Sequence, residues 1–151
     1  MQSFLPDWAP NIHPMIVHFP IAFFILAVFL DLLHLLYKKD WIRNLSIALF
    51  IFAAFAGIVT YFSGRQAVDS VSVPLSAELT ASYHADWALY TLAYFIAYAL
   101  VRAFLFWKKM DNKSLVAIIL FLAGLAGCVL LAKTADLGGK LVYKYGVGTK
   151  K

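Results

Sequence analysis

The residues with the most specific chemistry are three histidines at the borders of long apolar segments. His13 and His18 lie in the stretch 11–20, which reads Asn-Ile-His-Pro-Met-Ile-Val-His-Phe-Pro, and His84 opens a later apolar segment. Imidazole is a common ligand of metal ions and of haem iron. Ionisable side chains in membrane segments are functional candidates by default. These three residues are therefore the main candidates for a ligand site.

The placement of His18 and His84 on two different segments predicts a haem site. If the two segments start on the same side of a bundle and face each other diagonally, one histidine from each holds a haem iron from both faces. Ala22 and Ala88 come one turn after these histidines, where small side chains leave space for a porphyrin. We therefore expect His18 and His84 to be the axial ligands of haem b.

His13 has a different expected role from His18, and the three histidines also have other interpretations. His13 is five residues from His18, so on a regular helix the two side chains diverge. We expect His13 to cap the helix, to contact a haem propionate or to orient a ligand. A copper or zinc site that uses His13, His18, His84 and Asp86 is the rival hypothesis, because imidazole and carboxylate suit those ions. The third hypothesis is that these histidines only anchor or pack the helices.

Composition indicates an integral membrane protein. The chain has 151 residues, of which 63% are hydrophobic and only 14% are charged. Soluble domains are about half apolar and a quarter charged. The net charge of +5 is not gathered on a basic face with interleaved aromatic residues, which excludes a nucleic-acid-binding role. The single cysteine, Cys128, excludes an internal disulfide and a cysteine-based metal site.

Four apolar segments predict the architecture. They cover about 14–37, 45–62, 84–107 and 114–132, and each is long enough to cross the hydrocarbon core of a bilayer. Short alternating links predict an up-down four-helix transmembrane bundle that forms one domain over 1–151. After the fourth span, four glycines between 138 and 148 predict a turn and a re-entry segment that covers the outer mouth of the bundle.

The basic residues of the links predict the orientation. The links 38–44 and 108–113 each carry three Lys or Arg residues, whereas the long link 63–83 carries only Arg65. The positive-inside rule therefore places both termini outside the cytoplasm. Five lysines after residue 132 would lie on the same outer side, but the two inner links are short and agree with each other.

Asp31 and Arg102 are expected to form an intramembrane ion pair. Asp31 lies inside the first apolar segment, where an unpaired carboxylate is costly. Counting residues down each span places it at about the depth of Arg102 on the third span. His34 is three residues after Asp31 on the same face, so an Asp31–His34 contact is the alternative. We expect a structural clamp at this position.

Two motifs together resemble a known family. The opening His13-Pro-Met-Ile-Val-His18-Phe-Pro20-Ile-Ala, with His84 and the C-terminal segment 137–148, resembles bacterial four-helix membrane proteins catalogued as domain of unknown function 2231. The likeness spans essentially the whole chain. Relatives are often fused to, or encoded near, Rieske iron–sulfur or c-type cytochrome modules. The resemblance therefore implies redox work at the periplasmic surface of the bacterial inner (cytoplasmic) membrane.

Three functions from different classes follow from the sequence. The first is a haem b-binding subunit that transfers electrons at the periplasmic side, with a Rieske protein or a c-type cytochrome as redox partner. The second is a structural or assembly subunit of a larger membrane complex without cofactor. The third is a copper- or zinc-binding or transport protein. Membrane lipid is a partner in each case, and assembly as a homo-oligomer or within a larger complex is open.

Overall fold

The computed structural model describes residues 11–149, and all regular elements in this part of the chain are helices. A single turn of helix, α1, precedes four long helices, and a short 3₁₀ turn at Leu75–Ala77 leads into the third of these. The bounds are α1 His13–Ile16, α2 His18–Tyr37, α3 Asp40–Val68, α4 Glu78–Trp107 and α5 Ser114–Tyr143.

The four long helices form the expected bundle. Each is long and apolar enough to cross a membrane. Helix α2 packs against α3 and α5, and α4 packs against the same two helices, so α2 and α4 occupy diagonal positions. Large apolar side chains remain exposed along all four helices, as is normal for surfaces that face lipid. The prediction of an all-α four-helix membrane bundle is confirmed.

The break between α1 and α2 falls at Val17. Pro20 has no backbone N–H, so the carbonyl one turn earlier loses its helical partner, and helices commonly bend or break at this point. Val17 itself keeps helical backbone angles (φ −55°, ψ −27°), so the chain passes from α1 into α2 without a change of backbone conformation, and α1 packs against α3. The remaining helices extend beyond the predicted spans, because α3 begins at Asp40 rather than 45 and α4 begins at Glu78 rather than 84.

The C-terminal glycine segment is helical, so the predicted re-entry is wrong. Helix α5 continues through Gly138 and Gly139 to Tyr143, and the left-handed backbone that glycine favours occurs only later, at Gly146 and Gly148. Glycine is tolerated inside such a helix because close packing against a neighbour compensates for its low helix propensity. Gly138 illustrates this, since the His84 ring lies against it.

Aromatic rings fill the middle of the bundle. The rings of Phe24 and Phe95 stack with their centroids 3.9 Å apart, and Phe50 packs edge-on against Phe24 at 5.1 Å. Gly127 on α5 lies against Phe24 and Tyr94 so closely that a Cβ atom would overlap both rings. The small residues of α5 therefore serve close helix packing, which is their commoner role in membranes.

Candidate functional site

His13 is held against α3 by a hydrogen bond with Ser63. Its Nδ1 lies 3.0 Å from Ser63 Oγ, which also lies 2.8 Å from Thr60 O. When the Ser63 hydroxyl donates to Thr60 O, its oxygen accepts the hydrogen of His13 Nδ1. The neutral imidazole then carries no hydrogen on Nε2, which leaves the lone pair of that atom free.

His84 on α4 is held in the same tautomer by α5. Its Nδ1 lies 3.0 Å from the carbonyl oxygen of Thr134, which only accepts hydrogen bonds. The Thr134 hydroxyl donates to Leu130 O at 3.1 Å and accepts from Thr91 Oγ1 at 2.8 Å, which ties α4 to α5 beside the imidazole. His84 Nε2 is therefore also free of hydrogen.

A glycine lies behind each imidazole. A Cβ atom at Gly64 would come within 2.9 Å of His13 Cε1, and one at Gly138 would come within 3.0 Å of His84 Cε1. Real Cβ atoms essentially never come closer than 3.0 Å, and a contact at 3.0 Å is already tighter than most, so a side chain at either glycine requires the ring beside it to shift. Gly64 on α3 and Gly138 on α5 thus shape the site together with the two histidines.

His13 and His84 lie at the same end of the bundle, which we call the outer end because the basic links lie at the other. Both side chains are partly buried, and they are close enough to interact electrostatically. Their Nδ1 atoms point to protein groups, whereas their Nε2 atoms are free. Two neutral imidazoles with free Nε2 lone pairs form a donor set suited to a bound metal centre, because the groups bonded to Nδ1 orient the rings and raise their basicity.

His18 and Ala22 do not lie in the interior, contrary to the expectation from the sequence. His18 is exposed, and its Nδ1 lies 3.4 Å from Met15 O. Ala22, one turn further along α2, is also exposed, while Ala88 on α4 is half-buried. The expected divergence of His13 and His18 holds, because His13 is half-buried against α3 whereas His18 is exposed.

The donor set of the rival metal hypothesis is not assembled within residues 11–149. Asp86 is exposed on α4, and the described residues contain no group of three or more His, Cys, Asp or Glu side chains placed to hold a metal ion. Zinc sites in proteins use three or four such ligands. The pair His13 and His84 is thus short of a zinc site by at least one ligand.

A second polar cluster lies at the opposite, inner end of the bundle. Arg102 Nη1 and Nη2 each lie 2.8 Å from one carboxylate oxygen of Asp31, and both side chains are buried. This is the ion pair that the depths of the two residues predict. Ser46 donates to the same carboxylate. His34 instead donates from Nδ1 to Lys39 O at 3.2 Å.

Several residues of the two clusters have no distinguishing pattern in the sequence. Ser63 and Thr134 are single hydroxyl residues near helix ends, and their roles depend on which histidine lies across from them. Gly64 and Gly138 resemble ordinary packing glycines. The charged residues Arg43 and Asp111, which join the inner cluster, look like surface residues of short links. Only the pairing of helix faces in three dimensions identifies them.

Comparison with known proteins shows the family. No curated protein and no solved structure matches the chain. A family model described as predicted membrane protein (DUF2231) matches residues 9–151, which is nearly the whole chain. This range includes the opening histidine motif, His84 and the C-terminal glycine segment, the features on which the resemblance stands. The chain therefore belongs to the predicted membrane protein family DUF2231.

Proposed function

We propose that this membrane protein binds haem b and transfers electrons, with His13 and His84 as the axial ligands. The observation that carries the proposal is a pair of half-buried imidazoles at one end of the bundle whose Nδ1 atoms are both hydrogen-bonded to protein groups. Each Nε2 lone pair is thereby free for iron. Bis-histidine ligation within a helical bundle is a common way to hold haem.

The number of ligands favours haem over an isolated metal ion. Haem brings four nitrogen ligands of its own and requires at most two from the protein. Zinc requires three or four protein ligands, and the described residues contain no group of three His, Cys, Asp or Glu side chains placed to hold an ion. A pair of imidazoles without a third ligand therefore fits haem better than zinc.

The surroundings of the imidazoles also suit this role. Ser63 and Thr134 hold the rings in one tautomer, and Gly64 and Gly138 leave room for them. Thr60 lies on the same face of α3 as Ser63. Its hydroxyl is buried without a hydrogen-bond partner, so this hydroxyl is available to a bound group. The bound haem supplies one-electron redox chemistry, and the chain supplies orientation, basicity of the ligands and exclusion of water.

The position of the site suggests where electrons are exchanged. His13 and His84 lie at the outer end of α1 and α4, on the side opposite the basic links. The positive-inside rule assigns that side to the periplasm. We infer that the protein exchanges electrons there with a soluble or membrane-attached redox partner of the Rieske or c-type cytochrome class, as a subunit of the bacterial inner membrane.

The visible absorption spectrum of the purified protein tests the proposal. The full chain is expressed in cells supplied with a haem precursor, purified in detergent and measured oxidised and reduced. We expect a Soret band and sharp bands in the reduced state. His13→Ala and His84→Ala each abolish bis-histidine ligation, whereas His18→Ala, at an exposed position of the same motif, leaves the spectrum unchanged.

Each other outcome has a definite meaning. Loss of the Soret band in His18→Ala but not in His13→Ala assigns the ligand to His18 and overturns the pair proposed here. A colourless protein that retains stoichiometric copper or zinc indicates a metal-binding or transport protein. A colourless protein without metal indicates a structural or assembly subunit. The pyridine haemochrome spectrum of the extracted pigment establishes whether it is haem b.

A further inference from the structure

The inner cluster contains buried charged atoms that have no hydrogen-bond partner in the protein. Asp111, in the link between α4 and α5, is only 3% exposed, and neither of its carboxylate oxygens accepts a hydrogen bond. The Nε atoms of Arg43 and Arg102 are also buried without acceptors. Arg43 Nε lies 3.7 Å from Asp111 Oδ2, which is too long for a hydrogen bond. A buried carboxylate in this state is costly.

These groups surround a small cavity. Its volume is about 10 Å³, and its lining includes Asp31, His34, Arg43, Arg102, Asp111 and Ala117. A polar cavity needs about this volume to hold one water molecule, together with two to four polar partners. The unpaired atoms of Asp111, Arg43 and Arg102 belong to residues that line it. The cavity therefore has both the size and the partners that a buried water requires.

The charges of the lining distinguish water from an ion. Two carboxylates, Asp31 and Asp111, are balanced by two guanidinium groups, so an ion of either sign meets two groups of like charge. Water has no such penalty, because it both donates and accepts hydrogen bonds. His34 adds an acceptor, since its Nδ1 hydrogen is used by Lys39 O and its Nε2 is free.

We propose that the inner cavity binds one ordered water molecule that joins Asp111 to Arg102. The water donates one hydrogen to the Asp111 carboxylate and accepts from Arg102 Nε–H, and its second hydrogen is available to His34 Nε2. Through this water the α4–α5 link is connected to the Asp31–Arg102 ion pair, and thus to α2 and α4. The site is independent of the outer imidazoles and of the proposed haem.

A structure of the full-length protein at a resolution that shows ordered solvent is the direct test. We expect a single peak within hydrogen-bond distance of the Asp111 carboxylate and of Arg102 Nε. An empty cavity, an Asp111 side chain turned to solvent, or a peak with the short ligand distances of a metal ion would each overturn the proposal.

A substitution at Ala117, which lines the cavity, gives a second test in solution. Ala117→Cys displaces the water with a weakly hydrogen-bonding atom and leaves Asp111 without a donor. We expect the thermal midpoint of the protein in detergent to fall by about 4 °C or more. Ala117→Ser supplies a hydroxyl in place of the water, so its midpoint stays within about 2 °C of the parent protein.

The controls use an exposed alanine on the same helix. Ala126→Cys and Ala126→Ser introduce the same two side chains at an exposed position of α5. They therefore measure the effect of each side chain on helix propensity alone. If the cavity is dry, the added sulfur fills empty space, and Ala117→Cys then leaves the midpoint equal to or above that of Ala126→Cys. That result contradicts the proposal.

Discussion

The properties of the outer site are set by single atoms around two imidazoles. The Ser63 hydroxyl oxygen accepts a hydrogen bond from His13 Nδ1, and the Thr134 carbonyl accepts one from His84 Nδ1. The same tautomer on both sides leaves two equivalent nitrogen ligands. Backbone and hydroxyl oxygens thus determine the ligand chemistry of His13 and His84, and the glycines behind the rings determine their position.

Gly138→Ala tests this dependence on a single atom. The new Cβ would lie 3.0 Å from His84 Cε1 and would push the ring from its position against α5. We expect haem affinity to fall about tenfold, as is usual when a group that orients a metal ligand is disturbed. Titration of the haem-free protein with haem, followed by absorption, measures the change.

Gly139→Ala is the matched control for this prediction. At Gly139 a Cβ meets only the Tyr143 ring, at 4.0 Å, which is an ordinary contact. Both variants replace glycine by alanine in adjacent positions of α5, so they have the same effect on helix propensity. Equal haem affinities in the two variants would show that the His84 position does not depend on Gly138.

Only part of the outer site follows from the sequence. The sequence predicts both histidines and their position at one end of the bundle, because histidines at the start of apolar segments are unusual. It does not predict the choice between His13 and His18, because that depends on which residues of the first span pack against α3. Ser63 and Thr134 gain their roles only through the packing of α1 on α3 and of α4 on α5.

Among the elements, α5 packs most closely through its glycines. Gly124 and Gly127 face Val28 and Phe24 of α2, and Tyr98 and Tyr94 of α4. Tyr94 and Tyr98 also donate hydrogen bonds to backbone carbonyls of α5. Because Gly124 and Gly127 have no side chains, rings of the neighbouring helices can pack against α5 and donate hydrogen bonds to its backbone.

Gly127→Ala is expected to weaken the bundle. Alanine normally stabilises a helix relative to glycine, so a loss here must come from overlap with Phe24 and Tyr94. Overpacking of a filled core costs about 1–3 kcal/mol. We expect the free energy of unfolding in mixed micelles to fall by about that amount, whereas Gly139→Ala leaves it unchanged or raises it. A stabilising effect of Gly127→Ala would contradict the close packing.

The elements themselves were largely predictable from the sequence. Apolar length locates the four spans, and short links give the up-down order. The re-entry prediction for 134–148 is wrong because it rests on the tendency of glycine to end helices in soluble proteins. Near a membrane the backbone must satisfy its own hydrogen bonds, so a helix persists through Gly138 and Gly139 where packing compensates. Link residues such as Asp111 gave no sign that they would be buried.

The whole molecule has a direction in the membrane that is set by its basic links. We expect the Lys39 link to face the cytoplasm and the Asp69 link to face the periplasm. Both residues are exposed, so single cysteines at these positions are accessible to reagents. In a Cys128→Ser background, a membrane-impermeant maleimide should label Asp69→Cys in intact spheroplasts and Lys39→Cys only after lysis. The reverse pattern would invert the orientation and place the outer site at the cytoplasmic surface.

The stacked rings of Phe24 and Phe95, with Phe50 against them, divide the interior of the bundle. The Asp31–Arg102 ion pair lies on one side of these rings, and His13 and His84 lie on the other. A hydrated ion or a proton moves along water and polar groups, and an apolar layer interrupts that route. Electrons have no such requirement. Liposomes containing the protein should therefore hold a pH gradient as well as empty liposomes do, so that the proposed redox chemistry at one surface would not dissipate the energy stored across the membrane.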